Sequence, residues 1–169
     1  YLAEHLLNDG YTVHGMIRRQ SVAENQESRL DHIIGQIHTH YGDLLDIPSI
    51  FTTVNRIQPT HIFNLGAMSH VRISSEMPSF TIQTPEARFY QASSSEMFGD
   101  SIDEDQFQRE TTPMTPVSPY GCSKLLAYSL VRHYRHAYSL HASNGILFNH
   151  ESPRRGSNFV TNKVVKTAV

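Results

Sequence analysis

The chain has 169 residues, which is long enough for one domain with a hydrophobic core and short for two. Its 14 basic and 16 acidic residues give a formal net charge of -2, which argues against a nucleic-acid or anionic-membrane partner and favours a small molecule or another protein. The single cysteine excludes an internal disulfide framework and fits a reducing compartment such as the cytoplasm, and no apolar run approaches the length of a membrane span.

The first third of the chain alternates between helix and strand patterns. Leucines at positions 2, 6 and 7 predict a helix that ends at residues 8–10, and the apolar run 12–17 predicts a strand. A weaker strand is predicted over 37–41. Because the helical pattern starts at Tyr1 without an N-cap, we expect the chain to begin inside its fold.

The alternation continues to the end of the chain. Asp46 is the expected N-cap of a helix that tolerates Pro48 in its first turn. Further along, the sequence predicts a buried strand over 61–65, a strand over 88–92, a long helix after Pro119 and a last strand over 143–148. The apolar stripes of the two helices are Ile47, Ile50, Phe51, Val54 and Ile57 in the first, and Leu126, Ala127, Leu130, Val131 and Tyr134 in the second.

Strands that alternate with helices indicate an α/β fold with a doubly wound parallel sheet. In such sheets the ligand lies beyond the carboxyl ends of the strands. The residues at those ends are 18–19, 43–44, 66–69, 93–96 and 149–150. We therefore expect these five sets to line one crevice.

Three of these sets have an ordinary alternative. Arg18 and Arg19 suit the 2′-phosphate of NADP, because guanidinium binds phosphate in a fork, but a solvated loop explains them equally well. Asp43 suits an adenine amine, although Gly-Asp is also a common turn. Gly66 and Ala67 leave room for a nucleotide or serve helix packing.

The strongest candidate for an active site lies between residues 91 and 124. Tyr120 and Lys124 are four residues apart, so they share a helix face, and an ammonium near a phenol oxygen favours the phenolate that acts as a general base. A Tyr-x-x-x-Lys match alone arises often by chance. Ser94 and Glu96 strengthen it: if their strand persists, both side chains point to the same side and add a hydroxyl and a carboxylate.

These residues resemble the extended short-chain dehydrogenase/reductases, the nucleotide-sugar enzymes of the Rossmann class, and within them the GDP-mannose 4,6-dehydratases. The resemblance runs along nearly the whole chain, and its most specific part is Asn-Gly-Ile-Leu-Phe-Asn-His-Glu-Ser-Pro-Arg-Arg-Gly at 144–156. The other matching segments are 1–4, 13–15, 17–19, 40–44, 64–67, 69–71, 89–93 and 118–121.

The resemblance implies an NADP-dependent hydro-lyase that converts GDP-mannose to GDP-4-dehydro-6-deoxy-mannose, in the biosynthesis of GDP-fucose or another GDP-deoxyhexose. Tyr120, assisted by Lys124 and Ser94, takes the C4 hydroxyl proton during oxidation. Glu96 then abstracts the C5 proton, water leaves from C6, and hydride returns to C6. The enzyme is expected to be a cytoplasmic homodimer or homotetramer that binds neither nucleic acid nor membrane.

The resemblance also implies binding residues and two domains. An NADP-binding Rossmann domain is expected over 1–148 and the start of a GDP-sugar-binding part over 149–169. The cofactor residues it implies are Arg18, Arg19, Gln20, Ser21, Asp43, Leu44, Leu65, Gly66, Ala67, Met68, Ser69, Lys124, His150 and Arg155. The substrate residues are Ser95, Asn149, Asn158, Phe159, Val160 and Lys163.

The chain departs from the family pattern at three places. A glycine-rich phosphate loop is expected before Tyr1, and a crossover helix is expected near residues 84–85, where we predict that residues are missing. Ser94 stands where the family usually has threonine. The histidines have no carboxylate partners at metal-ligand spacing, so no metal site is predicted.

Two other functions remain open: a related nucleotide-sugar reductase or epimerase, and a non-catalytic NADP-sensing Rossmann protein. Glu96 and the run 149–156 argue against the first. The joint presence of the four candidate catalytic residues argues against the second.

Overall fold

The structure is a computed structural model, and it describes residues 1–17, 29–43, 46–66, 87–155 and 159–168. In chain order its elements are helix α1 (Leu2–Asn8), strand β1 (His14–Ile17), a 3-10 helix (Asp31–Gln36), β2 (His38–Tyr41), α2 (Ile47–Ile57), β3 (His61–Asn64), β4 (Arg88–Ser94), a 3-10 turn (Ser95–Met97), α3 (Pro119–Tyr138), β5 (Ala142–Leu147) and α4 (Val160–Ala168). The helices and strands predicted within the described residues are thus present, whereas α4 and the two 3-10 segments were not predicted. Among these elements, no helix is both long and apolar enough to cross a membrane.

The described strands pair in two groups. β1 pairs with β2, and β3, β4 and β5 form a three-stranded sheet in that order. Both pairs of the larger sheet are parallel, with His61 opposite Arg88 and Phe89 opposite Ala142. Parallel neighbours require a crossover, which α3 provides between β4 and β5. The prediction of an α/β fold with parallel strands is confirmed.

The chain divides into two compact units. The smaller contains Tyr1–His14, Gln20–His38 and Phe148–Val169, and the larger contains Gly15–Arg19 and Thr39–Leu147. The domain division at 148/149 stays a prediction.

The core of the larger unit lies between α3 and the sheet. Phe89, Val131, Leu140 and Ala142 are buried together, and Tyr134 packs against them. Val131 and Ala127 belong to the predicted stripe of α3, whose i, i+4 spacing places them on one helix face. Burying each large apolar side chain contributes about 1.5–3 kcal/mol, so this contact fixes α3 on the sheet.

The prediction that residues 61–65 form a buried strand is wrong in its burial. β3 is half-buried, with Phe63 38 % exposed, and Leu65, the residue after the strand, is 53 % exposed. The reason is its place in the described three-stranded sheet, where it is an outer strand while β4 lies in the middle.

Side chains cap the two longest helices, as the sequence predicts for the first of them. Asp46 accepts a hydrogen bond from the Ser49 amide at the start of α2. At the start of α3, Ser118 Oγ accepts from the Gly121 amide at 3.0 Å. Each cap satisfies an amide that has no partner within its helix, and the second cap fixes the turn that carries Tyr120.

Candidate active site

The first two turns of α3 place Tyr120 and Lys124 at the carboxyl end of β4. Lys124 is 6 % exposed, and its Nζ donates to the Ala92 carbonyl oxygen at 2.8 Å. The same nitrogen lies 5.6 Å from the centroid of the Tyr120 ring. Burial lowers the pKa of Lys124, because removal from water disfavours the ammonium. The predicted Tyr-Lys pair is therefore adjacent in space, with the lysine held from the strand side.

Ser94 and Glu96 lie in a different geometry from the predicted one. The strand ends at Ser94, and residues 95–97 form a 3-10 turn. The strand therefore does not persist to Glu96, which was the condition for both side chains to point to the same side. The physical reason is local: Ser94 Oγ accepts a hydrogen bond from the Glu96 amide at 3.3 Å, which competes with continued strand pairing. Ser94 is half-buried and Glu96 is exposed.

Gly121 allows the turn and the helix to meet closely. A Cβ at this position would lie 2.5 Å from the Glu96 backbone oxygen and 2.9 Å from Pro116 Cβ. Only a residue without a side chain fits this spacing without movement. The turn of Glu96 therefore packs against the turn of Tyr120, and the four predicted catalytic residues lie in the same part of the larger unit.

Buried polar side chains also lie on the face of the sheet that α3 covers, and they were not identified from the sequence. Gln91 and Ser93 are 3 % and 2 % exposed. Gln91 Oε1 accepts from Asn64 Nδ2 at 2.8 Å, and Ser93 Oγ donates to Asn144 Oδ1 at 3.3 Å. The usable sequence signal was the occurrence of amide side chains inside strand patterns, where apolar residues are the rule.

The loop between the 3-10 turn and α3 is braced by an ionic cluster. Arg109 donates to Asp103 at 2.9 Å and to both carboxylate oxygens of Asp105, at 2.9 and 2.5 Å. Thr112 Oγ1 donates to Asp103 at 2.9 Å. The Arg109 guanidinium holds the pKa of the Asp105 carboxyl below its usual range. This cluster fixes the approach to α3 without regular secondary structure.

Three predicted cofactor residues of the larger unit are described besides Lys124. Asp43 follows β2, and its backbone carbonyl accepts from the amide of Asp46, the N-cap of α2, at 2.9 Å. The Gly66 amide donates to Asn64 Oδ1 at 3.3 Å, and Leu65 is exposed.

The smaller unit contains the remaining described candidates. His150 Nδ1 hydrogen-bonds the Phe148 carbonyl at 2.8 Å, and the Arg155 guanidinium lies 3.6 Å from the centroid of the Phe159 ring. Arg155 Nε also lies 3.4 Å from Glu151 Oε2. The other described candidates of this unit are all exposed: Asn149, Val160 and Lys163.

A neighbouring ion pair in the smaller unit escaped prediction. Arg154 donates through both terminal nitrogens to the two carboxylate oxygens of Glu4, at 2.7 and 2.9 Å. The pair joins residues 150 positions apart, so no local pattern could reveal it. It ties the segment of His150 and Arg155 to α1.

Several predictions fall outside the described residues and stay predictions. They concern Arg18, Arg19, Gln20, Ser21, Leu44, Ala67, Met68, Ser69, Asn158 and the junction at 84–85. Within the described ranges, no group of three or more histidine, cysteine or acidic side chains could hold a metal ion.

Comparison with protein families gives a match along the whole chain. A family model described as GDP-mannose 4,6 dehydratase matches residues 1–85 and 82–169. The chain is 44 % identical to a GDP-mannose 4,6 dehydratase of Homo sapiens, with 99 % of this chain and 51 % of that protein covered. It is also 44 % identical to a GDP-mannose 4,6-dehydratase of Yersinia enterocolitica, with 98 % and 50 % covered. The chain therefore spans about half the length of the curated relatives it matches.

Solved structures with the same fold have lower identity. The dTDP-glucose 4,6-dehydratase of Bacillus anthracis, in complex with NAD, has a TM-score of 0.83 and 18 % identity over 98 % of this chain and 56 % of that one. The UDP-glucose 4-epimerase of Thermus thermophilus, also in complex with NAD, has a TM-score of 0.78 and 20 % identity over 99 % and 57 %. Such likeness establishes the Rossmann fold.

Proposed function

The chain belongs to the GDP-mannose 4,6-dehydratase family, and from this premise we propose that the protein that carries it converts GDP-mannose to GDP-4-dehydro-6-deoxy-mannose with NADP as the resident cofactor. The reaction eliminates water, so the enzyme is a hydro-lyase. The observation that carries the proposal is the packing of the Glu96 turn against the helix turn that bears Tyr120, four residues before buried Lys124.

The first half of the proposed reaction oxidises C4 of the sugar. Bound NADP supplies a hydride acceptor and later returns the hydride. Tyr120, as phenolate, takes the proton of the C4 hydroxyl, and the nearby ammonium of Lys124 favours that phenolate. Ser94, at the end of β4, donates a hydrogen bond that orients the same hydroxyl.

The second half eliminates water between C5 and C6. The C5 proton is acidic only beside the C4 ketone, so a carboxylate base is useful only after oxidation. Glu96 is exposed in its 3-10 turn, just past the end of β4, where it can reach a bound sugar. It takes the C5 proton and gives it to the departing C6 hydroxyl, which then leaves as water. C5 then regains a proton, which balances the one that Tyr120 took from the C4 hydroxyl, so the overall reaction removes one water and has no net redox change.

The binding roles follow the same family pattern. For NADP we propose the residues at the ends of β1, β2 and β3 together with Lys124, His150 and Arg155, and for the GDP-sugar Ser95, Asn149 and the segment 158–163. The NAD in the two structures described above supports a nicotinamide cofactor in this fold, and Arg18 and Arg19 favour NADP. We further propose a cytoplasmic homodimer or homotetramer in GDP-deoxyhexose biosynthesis.

Glu96→Gln in the full-length protein tests the proposal. Wild type should convert GDP-mannose to a 4-keto sugar that lacks one water, as measured by mass spectrometry. Glu96→Gln should lower formation of this product by about 10²–10⁴-fold, while slow C4 oxidation persists as bound reduced nicotinamide, seen by its absorbance. Glu104→Gln, an exposed glutamate of the braced loop, is the matched control and should retain activity.

Two results would contradict the proposal. A wild-type protein that makes no keto sugar from GDP-mannose would refute the substrate. A Glu96→Gln variant as active as Glu104→Gln would refute the elimination step, and a C4 epimer in place of the dehydrated product would identify an epimerase.

A further inference from the structure

Gln91 lies on the sheet face that α3 covers, at the position where the apolar core gives way to polar groups. Residues two apart on a strand share a face, and Phe89, two positions before Gln91, packs against Val131 of α3. Gln91 is 3 % exposed, so its amide must find partners inside the protein.

Those partners form a relay from the end of β3 to the candidate active site. The Gly66 amide donates to Asn64 Oδ1 at 3.3 Å, and Asn64 Nδ2 donates to Gln91 Oε1 at 2.8 Å. Gln91 Nε2 donates to the Ala92 carbonyl oxygen at 3.0 Å, the same atom that accepts from Lys124 Nζ at 2.8 Å.

The two ends of the relay fix its direction. A backbone carbonyl only accepts, so Gln91 must turn its NH2 group to Ala92 and its oxygen to Asn64. A backbone amide only donates, so Asn64 must turn its oxygen to Gly66 and its NH2 group to Gln91. Both amide orientations are therefore determined by chemistry, and each side chain has one arrangement that satisfies its neighbours.

The Ala92 carbonyl is the point where this relay meets Lys124. Ala92 lies one residue beyond the last pair of β3 with β4, which joins Asn64 to Gln91. A carbonyl oxygen accepts two hydrogen bonds, and here two side chains supply them. Movement of the Gln91 amide would therefore move the oxygen that holds the ammonium.

We propose that Gln91 and Asn64 are positioning residues that act through the Ala92 carbonyl to hold the Lys124 ammonium in place beside Tyr120, and that they link it to the Gly66 end of β3. This inference rests on the proposed function, in which Lys124 favours the Tyr120 phenolate. Neither residue touches substrate in this scheme.

Gln91→Met is the direct test, because methionine keeps the length and loses the amide. In the full-length enzyme, kcat should fall about tenfold, which corresponds to about 1.4 kcal/mol of lost transition-state stabilisation. KM for GDP-mannose should stay within about twofold of the wild-type value. In the pH profile of kcat, the acid limb should move to higher pH. Gln108→Met is the matched control: Gln108 Nε2 also donates to a backbone carbonyl, that of Ser101, at 2.8 Å.

Asn64→Asp extends the test one step along the relay. Aspartate has the shape of asparagine but cannot donate to Gln91 Oε1 when ionised. It should produce the same kind of kcat loss and pH shift, and the double variant should be no slower than Gln91→Met alone, because one relay is already broken. Should Gln91→Met fail to fold, Gln91→Glu takes its place above the pH at which this carboxyl ionises, since the carboxylate has the same shape and gives no donor to Ala92.

The outcomes separate the inference from the function it rests on. An active wild type with Gln91→Met indistinguishable from Gln108→Met in kcat and pH profile refutes the inference alone. Additive losses in the Asn64 and Gln91 double variant refute the relay. A wild type without turnover of GDP-mannose refutes the proposed function, and with it the role of Lys124 in that reaction.

Discussion

Gly145→Ala tests how β4 and β5 are fitted together. A Cβ at position 145 would lie 1.9 Å from Tyr90 Oη and 2.6 Å from its Cζ, whereas ordinary contact begins at 3.4 Å. Gly145 is opposite Ala92 in the sheet. The substitution therefore forces either the Tyr90 ring or the paired strand to move.

The geometry favours movement of the ring. Oη must retreat by about 1.5 Å, from 1.9 to 3.4 Å. Tyr90 is half-buried, so its ring can move toward solvent, whereas the strand is held by hydrogen bonds along its length. Overpacking of this kind costs about 1–3 kcal/mol. We expect that loss in the free energy of unfolding, with kcat within about twofold of wild type because the Ala92 carbonyl stays in place.

Urea denaturation of the full-length protein measures the cost, and a double-mutant cycle with Tyr90→Ala assigns it. Without the ring, Gly145→Ala should cost close to nothing. Tyr90→Phe should relieve only part of the cost, because Cζ remains at 2.6 Å. An equal cost in the wild-type and Tyr90→Ala backgrounds would refute the ring clash, and a large fall in kcat would show that β5 had moved instead.

Two further predictions concern α3. Ser118→Ala should lower the free energy of unfolding by about 1 kcal/mol and also lower kcat, because its cap fixes the turn of Tyr120. Asp46→Ala removes the cap of α2 and should cost a similar free energy of unfolding without loss of activity. Urea titration measures the two costs, and initial rates that fall equally in the two variants would contradict the role given to Ser118. Lys124→Met should abolish most activity yet leave the protein as stable as wild type or more stable at neutral pH, since folding lowers the pKa of Lys124 and the Ala92 carbonyl keeps its bond from Gln91. The difference in stability between the variant and wild type should narrow as the pH rises toward 10.5, the ordinary pKa of lysine, because the folded wild type then loses its buried charge. Thermal melts across this range whose midpoints do not converge would refute the prediction.

Local chemistry explains why much of the fold was predictable. The cap at Asp46 and the stripe that includes Ala127 and Val131 are encoded within a few residues, so the bounds of α2 and the buried face of α3 follow from the sequence. The low burial of β3 was not predictable in this way, because it depends on the position of the strand in the sheet and not on the strand itself.

The candidate site was predictable in its residue types and not in its geometry. The spacing of Tyr120 and Lys124 was enough to place them together on a helix. The turn at Glu96 arises from one hydrogen bond of the Ser94 hydroxyl, which strand periodicity does not include. The role proposed for Gln91 depends on Asn64 on another strand and on Lys124 on a helix. Both are distant in the sequence, so the sequence pattern around Gln91 could not predict these contacts.

The hydrogen bond from the Glu96 amide to Ser94 Oγ also bears on side-chain entropy. A β-branched residue at this position would be confined by its own sterics to few χ1 rotamers, and serine lacks that restraint. Here the backbone of the following turn restrains the serine, because the Glu96 amide can reach Ser94 Oγ in only one χ1 rotamer. In threonine the branched Cβ restricts the orientation of the hydroxyl. In serine at such a site the hydrogen bond from the following backbone amide does so instead. The loss of rotamer entropy at Ser94 is therefore offset by a hydrogen bond from the 3-10 turn that carries the Glu96 carboxylate.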